Sequence, residues 1–152
     1  MDPRLIRALR AWLMAREPRL GDRVRPGIEK PGSPGPYLIY TWVSGNPVGN
    51  LQHRTGESAA RVQLDVYSQD HAEASSIAAN INGDGTASDS TANGLDYFAG
   101  SWPDPADAEN PVAVQFAAVV RGPGDELDPP ILGTETGWYC VSADYEITYE
   151  RV

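Results

Sequence analysis

Pro34-Gly35-Pro36-Tyr37-Leu38-Ile39-Tyr40-Thr41-Trp42-Val43-Ser44 opens the stretch that decides the fold, which continues through Val62-Gln63-Leu64-Asp65-Val66-Tyr67-Ser68 to Ile77-Ala78-Ala79-Asn80-Ile81-Asn82. Residues 37–44 are rich in aromatic and β-branched side chains and predict a strand. Tyr37, Ile39, Thr41 and Val43 fall on one face, and Leu38, Tyr40 and Trp42 on the other. Both faces carry apolar groups, which predicts a strand buried on both sides. Residues 45–56 are polar, with Asn46-Pro47 and two further glycines, and predict a loop. Residues 60–68 alternate, Val62, Leu64 and Val66 against Arg61, Gln63, Asp65 and Tyr67, as a half-exposed strand does. Asp70 and Glu73 have the spacing of a capping box. Ala74, Ile77, Ala78 and Ile81 then form a helical stripe, and Gly83 is a stop.

Outward from this centre the pattern is simpler. Asp2 caps and Pro3 opens a first helix, with Leu5, Ile6, Leu9, Trp12 and Leu13 at helical spacing and an end near Arg16, before Pro18. Residues 21–36 predict a Gly/Pro-rich loop, 83–94 a second loop, and 95–102 a short strand. An acidic turn is expected over 103–111. Residues 112–121 predict a strand with Val112, Val114, Phe116, Ala118 and Val120 on one face. A loop over 122–137 presents Asp125, Glu126 and Asp128. The last strand, 138–149, turns Tyr139, Val141, Ala143, Tyr145, Ile147 and Tyr149 one way. Cys140, Ser142, Asp144, Glu146, Thr148 and Glu150 turn the other way. The expected fold class is α+β: one domain over residues 1–152, a small, mostly antiparallel sheet with two helices on one face.

Composition narrows the function. A chain of 152 residues supports one domain with a real core. The 15 glycines and 13 prolines predict long loops. No apolar run approaches the roughly 20 residues that span a bilayer, and no signal peptide follows the N-terminal charges, so synthesis in a cytosol without a membrane partner is expected. One cysteine excludes an internal disulfide and a cysteine-based metal cluster. The formal charge is −9, and eight of the twelve basic residues lie at or before Lys30. Beyond that point a surface that grips phosphates is not expected.

Candidate sites are few. Asn80, Asn82, Asp84 and Gly85 match the first half of a calcium loop, but the first position is Asn and the twelfth is Thr91, so the bidentate carboxylate is missing. A Gly-rich turn after a helix explains the same residues. Cys140 lies within an alternating strand, where a lone cysteine is usually a small sheet residue. His53 and His71 make no recognisable nucleophile–base spacing with it. No metal, cofactor or enzymatic turnover is expected. Asp65, Asp144, Glu146 and Glu150 occupy outward positions of two strands and form one acidic sheet face if the strands are neighbours.

The first helix with Leu5-Ile6-Arg7-Ala8-Leu9, the basic loop Gly21-Asp22-Arg23-Val24-Arg25, the strand Pro36-Tyr37-Leu38-Ile39-Tyr40, the strand 62–68 and the helix from Asp70 together resemble the tail-terminator (tail-completion) family of long-tailed bacteriophages. The resemblance covers about the first half of the chain. It implies a fold like that of the tail-tube protein and a homo-oligomeric ring, hexameric in the family, on the head-proximal end of the tube. Such a ring stops tube growth and joins the head connector proteins, and DNA passes through it without specific binding. The implied location is the virion tail, after assembly in the host cytoplasm. Asp65, Asp144 and Glu146 would then line or approach the lumen. Loops carrying Asn46, Arg54, Asp84, Asp89, Asp125 and Glu126 would contact subunits or neighbouring rings, and the aromatics Trp42 and Tyr67 would add exposed surface for such contacts. A head-completion or connector ring protein, and a stand-alone acidic module that mimics DNA, are the alternatives. Oligomeric state separates the ring from the mimic.

Overall fold

Local chemistry sets both helices. A computed structural model describes residues 2–27, 35–49, 54–83, 94–125 and 138–150. Helix α1 (Pro3–Arg16) starts where the Asp2 carboxylate accepts the Arg4 backbone N–H at 2.9 Å, with Pro3 in the first turn. Its apolar stripe buries Leu5, Ala8, Leu9 and Leu13. A short 3-10 turn (Pro18–Leu20) follows, with Glu17 as its cap. Helix α2 (His71–Asn82) is capped by Asp70, which accepts from the Ala72 N–H. The capping box is not closed directly. Glu73 accepts the Ser68 hydroxyl at 2.8 Å, and that hydroxyl in turn accepts the Asp70 N–H at 3.1 Å. Ser68, the last residue of the preceding strand, therefore relays the contact. Gly83 ends α2 at φ 80° and donates its N–H to the Ala79 carbonyl.

Six strands form one sheet: β1 (Val24–Pro26), β2 (Tyr37–Gly49), β3 (Arg54–Ser68), β4 (Phe98–Asp104), β5 (Asp107–Asp125) and β6 (Tyr139–Glu150). Their spatial order is β1-β2-β3-β6-β5-β4, antiparallel except for the β1–β2 pair. The fold class is α+β, with both helices packed into the core on one side of the sheet. Leu38, Tyr40, Val62, Leu64, Val66, Val141, Ala143, Tyr145 and Ile147 meet the helices there. Arg7 reaches β4 and Arg10 reaches β1, so the sheet curls about α1 until both its outermost strands touch that helix.

Several boundaries differ from the sequence expectation, each for a physical reason. The expected loop 45–56 is largely strand: β2 and β3 stay paired from Tyr37↔Tyr67 to Gly49↔Arg54. Pro47 is tolerated because, among the described residues, β1 covers only Leu38 to Tyr40 and no strand beside β2 needs the N–H of Pro47. The expected loop 21–36 contains β1, too short to show a period. The acidic turn shrinks to the link between Asp104 and Asp107, which are themselves paired, and β4 starts at Phe98 rather than residue 95. Strand β5 continues to Asp125, into the expected loop 122–137.

The largest correction concerns the faces of β5. Val114 pairs with Tyr149 but Phe116 with Thr148, so Gln115 is an extra, bulged residue. Beyond it the alternation inverts. Ala117 is fully buried and Val119 packs on the core, while Phe116 and Val120 are about half exposed. A one-residue slip flips every following side chain.

Candidate interaction surface

The face of the sheet opposite the helices gathers the sequence-predicted acidic residues. Strand β6 lies between β3 and β5, with Asp65 opposite Ser142, Gln63 opposite Asp144 and Arg61 opposite Glu146. Asp65, Asp144 and Glu146 thus share one face, as the alternation predicts. The face is not a bare field of negative charge. Arg61 Nη2 donates to Asp144 Oδ2 at 2.9 Å, and Arg121 Nη2 stands 3.6 Å from Asp144 Oδ1. Asp144 is buried between these two half-exposed guanidiniums. Arg121 also donates to the Ser142 hydroxyl at 2.9 Å, which donates to Asp65, and Gln63 donates to the same carboxylate. The centre of the face is a mixed-charge network, and Glu146 is the exposed carboxylate at its border.

Beside this network lies a second apolar cluster, Tyr37, Ile39 and Trp138, with Tyr67 packed against it. Tyr37 and Tyr67 stack with centroids 4.8 Å apart, and Trp138 tilts on Tyr37 at 5.3 Å. Burial pushes the phenols of Tyr37 and Tyr67 up from the usual tyrosine value. These contacts explain why β2 is apolar on both faces near its start. Neither Trp42 nor Tyr67 is an exposed aromatic. Trp42 packs on the main core, and Tyr67 lies under its stacking partner. At the β5 border of the face, Tyr97 meets Phe116 edge-on at 5.8 Å, with both rings about half exposed. Tyr97 is held at φ 64°, a conformation that costs an L-residue about 1–2 kcal/mol.

Of the calcium-like residues, Asn80 and Asn82 have other work, and Asp84, Gly85 and Thr91 lie outside the described residues. Asn80 donates to the Arg16 carbonyl and to Glu17, while Arg16 donates back to the Asn80 carbonyl. Glu17, almost wholly buried, also accepts three bonds from Arg19, which hold its carboxyl below the usual range. This knot ties the C-terminal ends of α1 and α2 together. Asn82 accepts the Tyr145 hydroxyl at 2.8 Å. Among the described residues no group of three His, Cys, Asp or Glu side chains could hold a metal ion. Cys140 is buried on β6, and the His71 ring stands against Tyr139. Among the described residues no helix is long and apolar enough to cross a membrane.

Of the expected contact residues, Asn46 lies in β2 and Arg54 at the first position of β3, in the ribbon that these strands form. The ribbon runs past the Glu57↔Glu150 pair, the last partnership with β6 among the described residues. Asp125 ends β5. Asp84, Asp89, Glu126, Asp128 and His53 lie outside the described residues. Sequence reasoning missed the roles of Arg61, Ser142 and Arg121. Arg61 and Ser142 show as polar outward positions, but the bulges that bring Arg121 opposite Asp144 leave no sequence period.

No protein-family pattern matches the chain, and no curated protein matches its sequence.

Proposed function

We propose that the protein is a structural subunit of a phage or phage-derived tail, a tail terminator. In this reading it forms a closed hexameric ring on the head-proximal end of the tail tube, ends tube polymerisation and presents the surface that the head connector joins. The observation that carries the reading is the unit β2–β3–α2. The residues that resemble the family from Pro36 to Asn82 include two paired antiparallel strands and a capped helix on a single sheet. A broad, hydrogen-bonded sheet is a stiff wall, and the ribbon past Glu57 gives it a paired arm toward a neighbour.

The mixed-charge centre of the outer face refines the role of the acidic residues. Asp144 and Asp65 are occupied by arginine, serine and glutamine, so repulsion of DNA in a conduit would come from Glu146 and its exposed neighbours. Such a face resembles a phosphate chain less than a uniformly acidic surface would, which favours the ring over the DNA mimic. The test is deletion of the gene from its phage or particle. Overlong or unattached tails support the proposal, and normal tails joined to heads in its absence sink it.

A further inference from the structure

The charge of this chain is divided between two places. The first 30 residues hold eight basic and four acidic side chains, and the rest holds four basic and seventeen acidic. The structure gathers part of the basic set at one end of the sheet. Arg10 donates to the Val24 and Asp22 carbonyls, and Arg23 to the Pro36 and Arg19 carbonyls. Arg25 lies two residues after Arg23 on the edge strand β1, opposite Ile39. Among the described residues none of these three has a carboxylate partner. Backbone carbonyls fix the guanidiniums of Arg10 and Arg23 without cancelling their charge. Among the described residues of this segment Asp22 is the one exposed carboxylate.

At the opposite end of β3, Glu57 and Glu150 are directly paired across the β3–β6 ladder. Both point to the outer face, and among the described residues neither has a cationic partner. Like charges directly opposite in a sheet are destabilising, so the subunit gains nothing from them alone. Glu57 lies ten residues from Tyr67, which is opposite Tyr37 near the β1 end. The two charged ends are therefore about 30 Å apart along a rigid strand, and one molecule cannot bring them together.

We propose that the Arg10/Arg23/Arg25 end of one copy docks on the Glu57/Glu150 end of the next, a head-to-tail contact between two different patches of the same chain. Such a heterologous contact closes into a ring or grows into a chain according to its rotation. The biological sense of this contact rests on the ring reading above, but its chemistry stands on charge complementarity alone. Complementary patches speed encounter and fix register, and they weaken in salt.

The experiment is sedimentation velocity of the whole chain at high protein concentration, in about 0.05 and about 0.5 M salt. Arg25→Glu is compared with the double variant Glu57→Lys/Glu150→Lys. The double variant keeps a like-charge pair, so its folding serves as its own control by circular dichroism. The wild type is expected to associate in low salt and fall apart in high salt. Each variant alone is expected to associate at least tenfold more weakly, and their equimolar mixture is expected to regain association as a pair, because the intact arginine end of Glu57→Lys/Glu150→Lys can join the intact glutamate end of Arg25→Glu. Assembly of Glu57→Lys/Glu150→Lys like the wild type, or a mixture that stays monomeric, overturns the contact. A wild type that stays monomeric while its arginine end binds a DNA duplex overturns it too. None of these results touches the gene-deletion test, so failure of the contact and failure of the tail reading remain distinguishable.

Discussion

The two faces of the sheet are made by the same strands and stabilised in different ways. The helix side is a continuous apolar core in which Leu5, Leu9, Leu13, Ile77, Tyr145 and Ile147 are essentially without exposure. The outer side is a patchwork of an aromatic stack, a charge network and half-exposed apolar residues such as Val43 and Val120. Burial of apolar area drives the first, at roughly 25 cal/mol per Å². Half-exposed ion pairs in the second gain little, because solvent screens them. The stability of the molecule should therefore lie on one face, leaving the other free to vary in charge without unfolding.

The sharpest way to break that comparison is to cut an aromatic side chain from each face. Trp102 is fully buried between Trp12 and Phe98. Trp102→Ala should cost about 3–5 kcal/mol, enough to unfold a marginal domain. Trp102→Phe should cost far less, since it keeps a ring and removes an indole N–H that has no hydrogen-bond partner. Phe116→Ala, at a half-exposed position on the outer face, should stay within about 1 kcal/mol. Urea denaturation measures all three, and equal losses for Trp102→Ala and Phe116→Ala would contradict the asymmetry.

A second prediction concerns acid. Asp104, shielded from solvent, accepts two bonds from Arg7 and the Ala106 N–H, which hold its carboxyl at about 2. Glu17 is lowered by Arg19 in the same way. Both folded-state values lie below the unfolded ones, so the unfolded chain takes up these protons first. Their contribution is complete above the ordinary carboxylate range and is lost as pH falls from about 4 toward 2. Asp104→Asn and Glu17→Gln should each flatten the pH dependence of the urea midpoint across that window. Both groups belong to contacts of the helices.

A third prediction sharpens the boundary between the faces. Gln115 and Phe116 both point outward, two residues where β6 offers one. Deleting Gln115 leaves Val114 inward, Phe116 outward and Ala117 inward, which is plain alternation. The deletion should therefore fold with a loss of about 1–2 kcal/mol. Deleting Ser142 from the unbulged strand β6 puts its flanking residues on the wrong faces and should prevent folding. Similar losses for the two deletions would mean that the bulge does not set the faces of β5.

This bulge also marks how far the sequence could be read. Both helices, their caps and the faces of β3 and β6 follow from the period of Leu5/Leu9/Leu13, Ala74/Ile77/Ala78/Ile81 and Val62/Leu64/Val66, because one buried face imposes one period. Strand β1 left no period in three residues. Phe116, Ala118 and Val120 alternate as cleanly as a buried face, yet the inserted Gln115 turns them outward. The acidic residues of the outer face were legible as positions. Their partners were not, since Arg121 meets Asp144 only through register shifts on the far side of β6. The clamp between Glu17, Arg19 and Asn80 joins residues some 63 apart through side chains that look like solvated surface.

The smallest expected effect tests whether the outer face is tuned for the subunit itself. Glu57 and Glu150 face each other across the ladder, and a like-charged cross-strand pair is unfavourable. Glu57→Gln removes the repulsion while keeping the shape. It should stabilise the monomer by about 0.2–0.5 kcal/mol at low ionic strength. The gain should vanish near 1 M salt, where the Debye length falls to about 3 Å. Most substitutions destabilise, so a gain with this salt dependence has few other sources. It would mark a position where the folded subunit gives up stability, as expected of a surface that serves a contact between molecules. A loss of stability, or a gain that persists in salt, would show instead that Glu57 is bound within its own chain, and the outer face would lose its clearest sign of serving a partner.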